Sequence, residues 1–280
     1  MTAQGDGRFT LARSDLAAAA LEGVFAAGRY EPARPLQVTA PRTPLQRSPD
    51  RDGEWLDELI YGERFDALAA EGDYLWGQAR RDGYVGFVRA EALSPAGVPP
   101  THWVTVASSY GFAAPSFKAR PIGPFSLNTL VAIESEEGQF ARAADGAFFW
   151  TAHLAPVGIG FARDPAAVAE RFVGAPYLWS GRTIAGLDCS GLIQQALYAC
   201  GEACPRDADQ QARLGRPIDQ SALVRGDLVC WDGHIGVMLD QVRLLHASSH
   251  HMATTVEPLG EVIARAEAAG RGAPTGFRRL

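Results

Sequence analysis

Cys189 is the residue of this chain whose type and position point most directly to chemistry. It lies in the segment Gly186-Leu-Asp-Cys-Ser-Gly-Leu, where a loop leads into an amphipathic stretch that predicts a helix to about residue 200. A thiol at a helix N-terminus is close to the positive end of the backbone dipole, which favours the nucleophilic thiolate. The alternative is a small buried cysteine that only packs the start of the helix.

Two histidines, His234 and His246, are the second chemical signal. They are twelve residues apart in a segment that predicts a β-hairpin with its turn near Asp240. A turn centred there would place the two histidines directly opposite each other on one face, with Cβ atoms about 4.5–5.5 Å apart. Two imidazoles at that separation can serve as the base and the orienting group of a nucleophilic triad. An exposed histidine pair without a function is the alternative.

The other cysteines and histidines do not favour a metal site. All four cysteines lie in the last 92 residues, so free thiols are expected rather than a disulfide framework. Cys200 and Cys204 are not followed by a second pair, which disfavours zinc. A site of four histidines, completed by His250 and His251, is conceivable but disfavoured. No metal and no cofactor are therefore expected.

The composition describes an ordinary globular protein. The 280 residues are 47% hydrophobic and 21% charged, and the length suggests two or three domains. The net charge of -6 argues against nucleic acid or an anionic membrane surface as the main partner. The first residues carry only a short apolar patch at 16–21, and no run of about 18 apolar residues occurs. A cytoplasmic protein without a leader is the simplest expectation.

The chain divides into four predicted segments. Residues 1–35 are interpreted as a helical lead-in. Residues 36–97 alternate short apolar runs with turn signals, including Asp82-Gly83, and predict a small β-barrel. Residues 101–157 repeat this pattern, because Val38-Thr39 recurs 66 residues later, and predict a second copy. Residues 158–280 begin with a helix signal and continue into helix and antiparallel strands, an α+β pattern.

These motifs together resemble the NlpC-type cysteine peptidases of peptidoglycan, a papain-like family. The resemblance rests on Asp-Cys-Ser-Gly-Leu, on His-Ile-Gly-Val, and on His246-Ala247, and it covers about residues 160–280. The segment 176–181 and Arg225-Gly-Asp-Leu also match the family. The two predicted barrels resemble bacterial SH3-like domains. This layout is similar to the subgroup that cleaves stem peptides between γ-D-glutamate and a diamino acid and requires a free N-terminal L-alanine.

The resemblance implies a role for each matching residue of the catalytic domain. It implies that Cys189 is the nucleophile, His234 the base and His246 the orienting residue. Tyr177 is expected to help hold the oxyanion, and Trp179 to form a wall of the substrate pocket. Either aromatic residue could instead be a core residue.

The resemblance also implies a pocket for the free amine of the substrate. Asp188 and Ser190 are expected to bind the amine and the substrate backbone, although Asp188 could be only a helix N-cap. Glu54 and Tyr84 of the first barrel are the best matches for an acid and a tyrosine that complete the pocket, and Glu54 could be an ordinary surface carboxylate. The family often has a serine where this chain has Ala208.

The expected function is hydrolysis of the γ-D-glutamyl-diamino acid bond of peptidoglycan stem peptides in cell-wall recycling. One alternative is a cysteine amidase or acyltransferase on the same core, with a pocket shaped for sugar or lipid. Another is a non-catalytic wall-binding protein in which the barrels do the binding. The sequence leaves the choice between lysine and diaminopimelate open, and also the oligomeric state.

Overall fold

The computed structural model describes residues 6–280, which divide into two compact units with their boundary in the sequence between Val157 and Gly158. The described residues contain no helix that is long and apolar enough to span a membrane. The two units together contain a mixed α+β set of elements in which strands predominate.

The N-terminal segment is not the helical lead-in that the sequence predicted. Its described part forms a parallel pair, β1 (Ala17–Ala18) and β2 (Tyr30–Glu31), with a single-turn 3-10 helix at Ala19–Leu21. The apolar patch is too short to nucleate an isolated helix. Leu16 is instead fully buried, in a small core that includes Trp76. Residues 1–5 of the predicted lead-in lie outside the described residues.

A seven-stranded antiparallel sheet follows, in the spatial order β5-β4-β8-β7-β6-β3-β9. Its strands are β3 (Arg34–Val38), β4 (Arg42–Gln46), β5 (Trp55–Ile60), β6 (Arg64–Glu71), β7 (Tyr74–Ala79), β8 (Val85–Arg89) and β9 (Leu93–Pro95), with a 3-10 helix at Ala90–Ala92. Strands β7 and β8 pair across the predicted Asp82-Gly83 turn, where Gly83 adopts a φ of 85°. The alternating apolar residues form one core, around the fully buried Phe65.

The rest of the first unit consists of a three-stranded sheet, β13-β10-β17, and a five-stranded sheet, β12-β11-β16-β15-β14. The strands are β10 (His102–Val104), β11 (Ser108–Phe112), β12 (Pro121–Ser126), β13 (Leu130–Val131), β14 (Ile133–Glu137), β15 (Phe140–Ala143), β16 (Phe148–Trp150) and β17 (Leu154–Pro156), with a 3-10 helix at Thr151–His153. Phe125 and Phe149 contact each other in its core.

The 66-residue repeat of the sequence is matched by repeated backbone hydrogen bonds. The N–H of Val38 donates to the carbonyl of Glu63 at 2.9 Å, and the N–H of Val104 donates to the carbonyl of Thr129 at 2.9 Å. Strands β3 and β10 each pair with a short strand, β9 or β17, that directly follows a 3-10 helix. The two halves of the unit therefore share local backbone features at the same spacing.

The second unit is built on a six-stranded antiparallel sheet in the order β20-β25-β21-β22-β23-β24. Its elements are α1 (Pro165–Glu170), β18 (Arg182–Thr183), β19 (Gly186–Leu187), α2 (Cys189–Ala199), α3 (Ala208–Gln211), β20 (Arg216–Pro217), a 3-10 helix at Gln220–Ala222, β21 (Leu228–Trp231), β22 (His234–Met238), β23 (Arg243–Ser248), β24 (Ala253–Pro258), α4 (Leu259–Ala268) and β25 (Gly276–Arg279). Helix α2 packs against β22 and β23, and every residue of α2 up to Ala199 is buried.

Candidate active site

The Cys189 side chain is held at the first position of α2 by a capping residue. The preceding Asp188 has extended backbone geometry, and its carboxylate accepts a 2.7 Å hydrogen bond from the N–H of Gly191. The backbone N–H groups of Ile235 and Ser190 are directed at the sulfur of Cys189. Because Ile235 directly follows His234 on β22, the thiol lies beside the start of the strand that carries the predicted base.

The two histidines meet, but not in the register that the sequence predicted. Met238 pairs with Leu244, so the turn is centred one residue later than Asp240 and His246 lies opposite Gly236 rather than opposite His234. The histidines are diagonal neighbours on one face, with Nε2 of His234 2.8 Å from Nδ1 of His246. A Cβ on Gly236 would lie 3.0 Å from the Cβ of His246. Glycine at this position therefore keeps space for the His246 side chain.

Glu257 extends the histidine pair into a chain of hydrogen bonds that the sequence reasoning missed. Its Oε1 is 2.9 Å from Nε2 of His246, and Arg265 of α4 donates two hydrogen bonds to the same carboxylate, at 2.7 and 2.8 Å. His251 contacts the second oxygen at 3.0 Å. The signal was available, since a strand 253–258 beside His246 would turn alternate residues toward it.

This chain of hydrogen bonds fixes the tautomers of the His234 and His246 rings. An ionised carboxylate only accepts hydrogen bonds, so Nε2 of His246 must donate to Glu257 and its Nδ1 must accept from Nε2–H of His234. Nδ1 of His234 is then left unprotonated. It is the nitrogen that can accept a proton from Cys189.

Burial favours the uncharged forms of the Cys189 and His234 pair. It raises the pKa of the Cys189 thiol to about 12, with the negative charge of Asp188 acting in the same direction. Burial also lowers the pKa of His234 to about 3, together with the charges of His246 and Arg271. These pKa shifts oppose the effect of the helix dipole on the Cys189 thiol. The Asp188 carboxylate at the same helix N-terminus opposes the effect of the dipole.

Tyr177 and Trp179 lie in the wall of the site and not in a core. Burial, and the charges of Cys189 and Asp188, raise the pKa of Tyr177, so its hydroxyl stays protonated and can donate a hydrogen bond. The N–H of Tyr177 donates to the carbonyl of Met252 at 2.9 Å, which fixes its backbone beside the sheet. Trp179 is 60% exposed. Its indole is available to contact a ligand.

A cavity of about 730 Å³ opens on the histidine side of the site. Tyr177, Trp179, His234 and His246 line one part of it, and residues of α4, including Arg265, line another. A cavity of this size suits a small organic ligand or a short peptide segment. No group of three or more acidic, histidine or cysteine side chains that could hold a metal ion occurs among residues 6–280.

The Asp188 and Ser190 side chains are occupied by a buried network. Arg206 donates to both carboxylate oxygens of Asp188, at 3.0 and 2.7 Å, and to the hydroxyl of Ser190 at 2.7 Å. The Ser190 hydroxyl and the N–H groups of Ser180 and Gly191 also donate to the Asp188 carboxylate. A carboxylate offers about four acceptor positions. Five donors already fill them, which favours capping and anchoring over amine binding for Asp188.

Glu54 and Tyr84 lie in the first unit in different environments. Glu54 is exposed, and a 2.7 Å hydrogen bond from Arg47 lowers its pKa. Tyr84 is only 6% exposed, in the core of the seven-stranded sheet, with its ring edge-on to Phe9 at 5.2 Å between centroids. Their part in an amine pocket stays a prediction.

Two family models match the chain in the regions that the sequence resemblance indicated. The NlpC/P60 family model matches residues 174–266, which include Cys189, His234 and His246. The model described as bacterial dipeptidyl-peptidase Sh3 domain matches residues 45–93. The chain contains an NlpC/P60 domain. The recognition of this family and of an SH3 domain before it is therefore confirmed.

Curated relatives and a solved structure match most of the chain. The chain is 26% identical over 226 residues to a γ-D-glutamyl-L-lysine dipeptidyl-peptidase of Bacillus subtilis, covering 74% of this chain and 76% of the relative. It is 24% identical to the protein of that name from Bacillus cereus, covering 75% and 66%. A crystal structure of an NlpC/P60 family protein from Bacillus cereus superposes with a TM-score of 0.74 at 19% identity, covering 88% of this chain and 99% of that one. The last match shows a shared fold.

One prediction concerns Glu257, whose pKa lies well below its ordinary value. Burial opposes its ionised form, but hydrogen bonds from Arg265, His246 and His251 outweigh this and lower the pKa to about 2 from 4.5. A carboxyl with a depressed pKa stabilises the fold above pH 4.5, and this stabilisation is lost as pH falls through about 2. We expect Glu257→Gln to lower the free energy of unfolding at pH 7, by roughly 3 kcal/mol at most, and to lower it much less at pH 2.

Urea unfolding of wild type and variant at pH 7, 4 and 2 measures this difference. The exposed Glu267 of α4 is the matched control, and Glu267→Gln should show a small, nearly pH-independent difference. The same Glu257→Gln protein should lose about tenfold in turnover, because the tautomers of the histidine chain are no longer fixed by a charge. A difference in stability that is as large at pH 2 as at pH 7 would contradict the role assigned to this carboxylate.

Proposed function

We propose that this protein is a cysteine peptidase that hydrolyses the bond between γ-D-glutamate and a diamino acid in peptidoglycan stem peptides. The observation that carries the proposal is the Cys189 thiol beside β22 together with the 2.8 Å contact between His234 and His246. The names of the two Bacillus relatives, which are aligned over about three quarters of this chain, support the substrate class.

In this mechanism the thiol proton moves to Nδ1 of His234 as the Cys189 sulfur attacks the γ-carbonyl carbon. The proton moves during the attack because burial disfavours a separate thiolate and imidazolium. The carbonyl oxygen becomes an oxyanion, which the Cys189 N–H and the protonated Tyr177 hydroxyl stabilise. His246 and Glu257 hold the His234 ring in the tautomer that can accept the proton.

The intermediate then collapses with cleavage of the carbon–nitrogen bond. His234 returns its proton to the departing amine, and a thioester to Cys189 remains. A water molecule gives one proton to His234 and adds to the thioester carbon. The carbon–sulfur bond breaks, the free acid leaves, and the proton returns to the thiol. Atoms and charges balance without a cofactor.

A requirement for a free N-terminal L-alanine is part of the proposal. The acceptor positions of the Asp188 carboxylate are occupied by hydrogen bonds from within the protein. Another acidic group must therefore accept the amine, and Glu54 with Tyr84 is the pair proposed for this role. Such a requirement would restrict the enzyme to released stem peptides, which fits recycling. N-acetylation removes the positive charge of the amine, so an N-acetylated peptide should be a far poorer substrate.

The test uses the wild-type chain with L-Ala-γ-D-Glu-diaminopimelate, both free and N-acetylated, and follows products by mass spectrometry. Release of L-Ala-γ-D-Glu from the free peptide alone is the expected result. Cleavage of both peptides would overturn the amine requirement and keep the peptidase. If folded protein cleaves neither peptide, the stem-peptide assignment fails. Amidase or acyltransferase activity, or binding to intact sacculi without cleavage, would then have to be measured.

We also propose that residues 101–157 are a second SH3-like domain related to the first. The support is the 66-residue offset, which applies to the sequence repeat and to the backbone hydrogen bonds of Val38 and Val104. In both halves a strand that follows a 3-10 helix pairs with the strand that ends at this valine. The domains proposed are therefore an N-terminal segment, two SH3-like domains and the catalytic domain from residue 158.

A further inference from the structure

Arg271 is a positive charge in the lining of the active-site cavity that the mechanism does not use. It lies three residues after α4 ends at Ala268, and it lines the same cavity as His234, His246 and Tyr177. Its charge contributes to lowering the pKa of His234. Its guanidinium therefore lies close enough to the reacting groups to act on them electrostatically.

The backbone of Arg271 is fixed while its side chain is left without an ion-pair partner. The N–H of Arg271 donates to the carbonyl of Ala266 at 2.9 Å, and the N–H of Gly270 donates to the carbonyl of Glu267. Gly270 adopts a φ of 72°. These two bonds are the Schellman motif that terminates a helix. Among residues 6–280, no acidic side chain forms an ion pair with Arg271, whereas Arg265 in the same lining is paired with Glu257.

The position of the cavity indicates which part of a substrate would enter it. The general acid must be within hydrogen-bond reach of the departing nitrogen, so the leaving group lies on the side of His234. The cavity is lined by both histidines and, among the described residues, by neither Cys189 nor Asp188. It therefore suits the leaving diamino acid rather than the acyl part.

We propose that Arg271 binds a carboxylate of the leaving diamino acid. A guanidinium presents paired N–H donors that match the two oxygens of a carboxylate, and the partly closed cavity strengthens such a bond. This inference rests on the function proposed above. The carboxylate has two sources, the main-chain carboxyl of a tripeptide that ends at the diamino acid and the side-chain carboxyl of diaminopimelate. A peptide that ends in lysine has only the main-chain carboxyl.

Three peptides that begin L-Ala-γ-D-Glu separate the two sources. The first ends in lysine amide and has no leaving-group carboxylate. The second ends in free lysine and has the main-chain carboxylate. The third ends in diaminopimelate with the main-chain carboxyl amidated and has only the side-chain carboxylate. The kcat/KM of wild type, Arg271→Gln and Arg271→Lys is measured on each peptide at one pH.

We expect Arg271→Gln to lower kcat/KM by roughly tenfold to a hundredfold on the peptide whose carboxylate is bound, and by much less on the lysine amide. Arg271→Lys should fall between wild type and Arg271→Gln, because it keeps the charge without the paired donors. Arg216→Gln is the matched control, since Arg216 is exposed on β20 outside the cavity lining. It should leave all three values unchanged.

Two outcomes would overturn the proposal. An equal loss on all three peptides would mean that Arg271 acts only through its charge on His234. No loss on any peptide, with a lowered melting temperature, would mean that it only stabilises the end of α4. If the wild type cleaves none of the three peptides, the result is different, because it rejects the proposed peptidase function itself.

Discussion

Replacing Cys189 by alanine is expected to abolish peptide hydrolysis while leaving the fold intact. Without the sulfur no thioester can form, and neither His234 nor Tyr177 can supply another nucleophile. We expect kcat to fall by roughly 10⁴-fold or more, to the detection limit of the assay. Loss of one small buried side chain should cost the fold only about 1 kcal/mol, since the cavity that remains is small.

Cys230 is the matched control for this substitution. It is another buried free thiol of the same unit, 1% exposed on β21, and burial raises its pKa to about 11. Both thiols are therefore buried with a raised pKa, and only Cys189 lies beside the hydrogen-bonded pair His234 and His246. Cys230→Ala should retain full activity when product release is followed by mass spectrometry. Retained hydrolysis in Cys189→Ala would exclude Cys189 as the nucleophile.

The chemical residues could be found from the sequence because their signals are local. A cysteine after an N-capping aspartate, before an amphipathic stretch, specifies the start of a helix, and α2 begins at Cys189. Alternation along a hairpin keeps His234 and His246 on one face even though the turn lies one residue later than predicted. A shift of one residue on each strand preserves the face and changes only the partner.

The features that the sequence reasoning missed depend on how separate strands and helices of the folded domain pack together. Glu257 contacts His246 because β24 pairs with β23, and Arg265 contacts Glu257 because α4 follows β24. Arg206 is 18 residues away from Asp188, and no local pattern marks it as the partner of that carboxylate. The raised pKa of the Cys189 thiol also depends on the fold, because burial is a property of the folded domain.

The second large effect is expected at the buried ion pair of Asp188 and Arg206. The two residues are 4% and 1% exposed, and two hydrogen bonds join them. Asp188→Asn keeps the shape of the side chain but removes the buried negative charge that accepts two hydrogen bonds from the Arg206 guanidinium. Breaking a buried pair in this way costs about 3–5 kcal/mol of stability. The same change weakens the cap that places Cys189 at the first position of α2, so activity should fall with stability.

Asp164→Asn is the matched control, because Asp164 is also an N-cap, of α1, but lies at the surface, where its partner Arg225 is also partly exposed. It should cost about 1 kcal/mol or less. Calorimetry of the full chain measures both variants, and Asp188→Asn should lower the melting temperature of the unit 158–280 and not that of the other unit. Equal, small shifts for the two variants would mean that the Asp188 network contributes no more than an ordinary cap. The position of the nucleophile would then have to depend on the packing of α2 against β22 and β23.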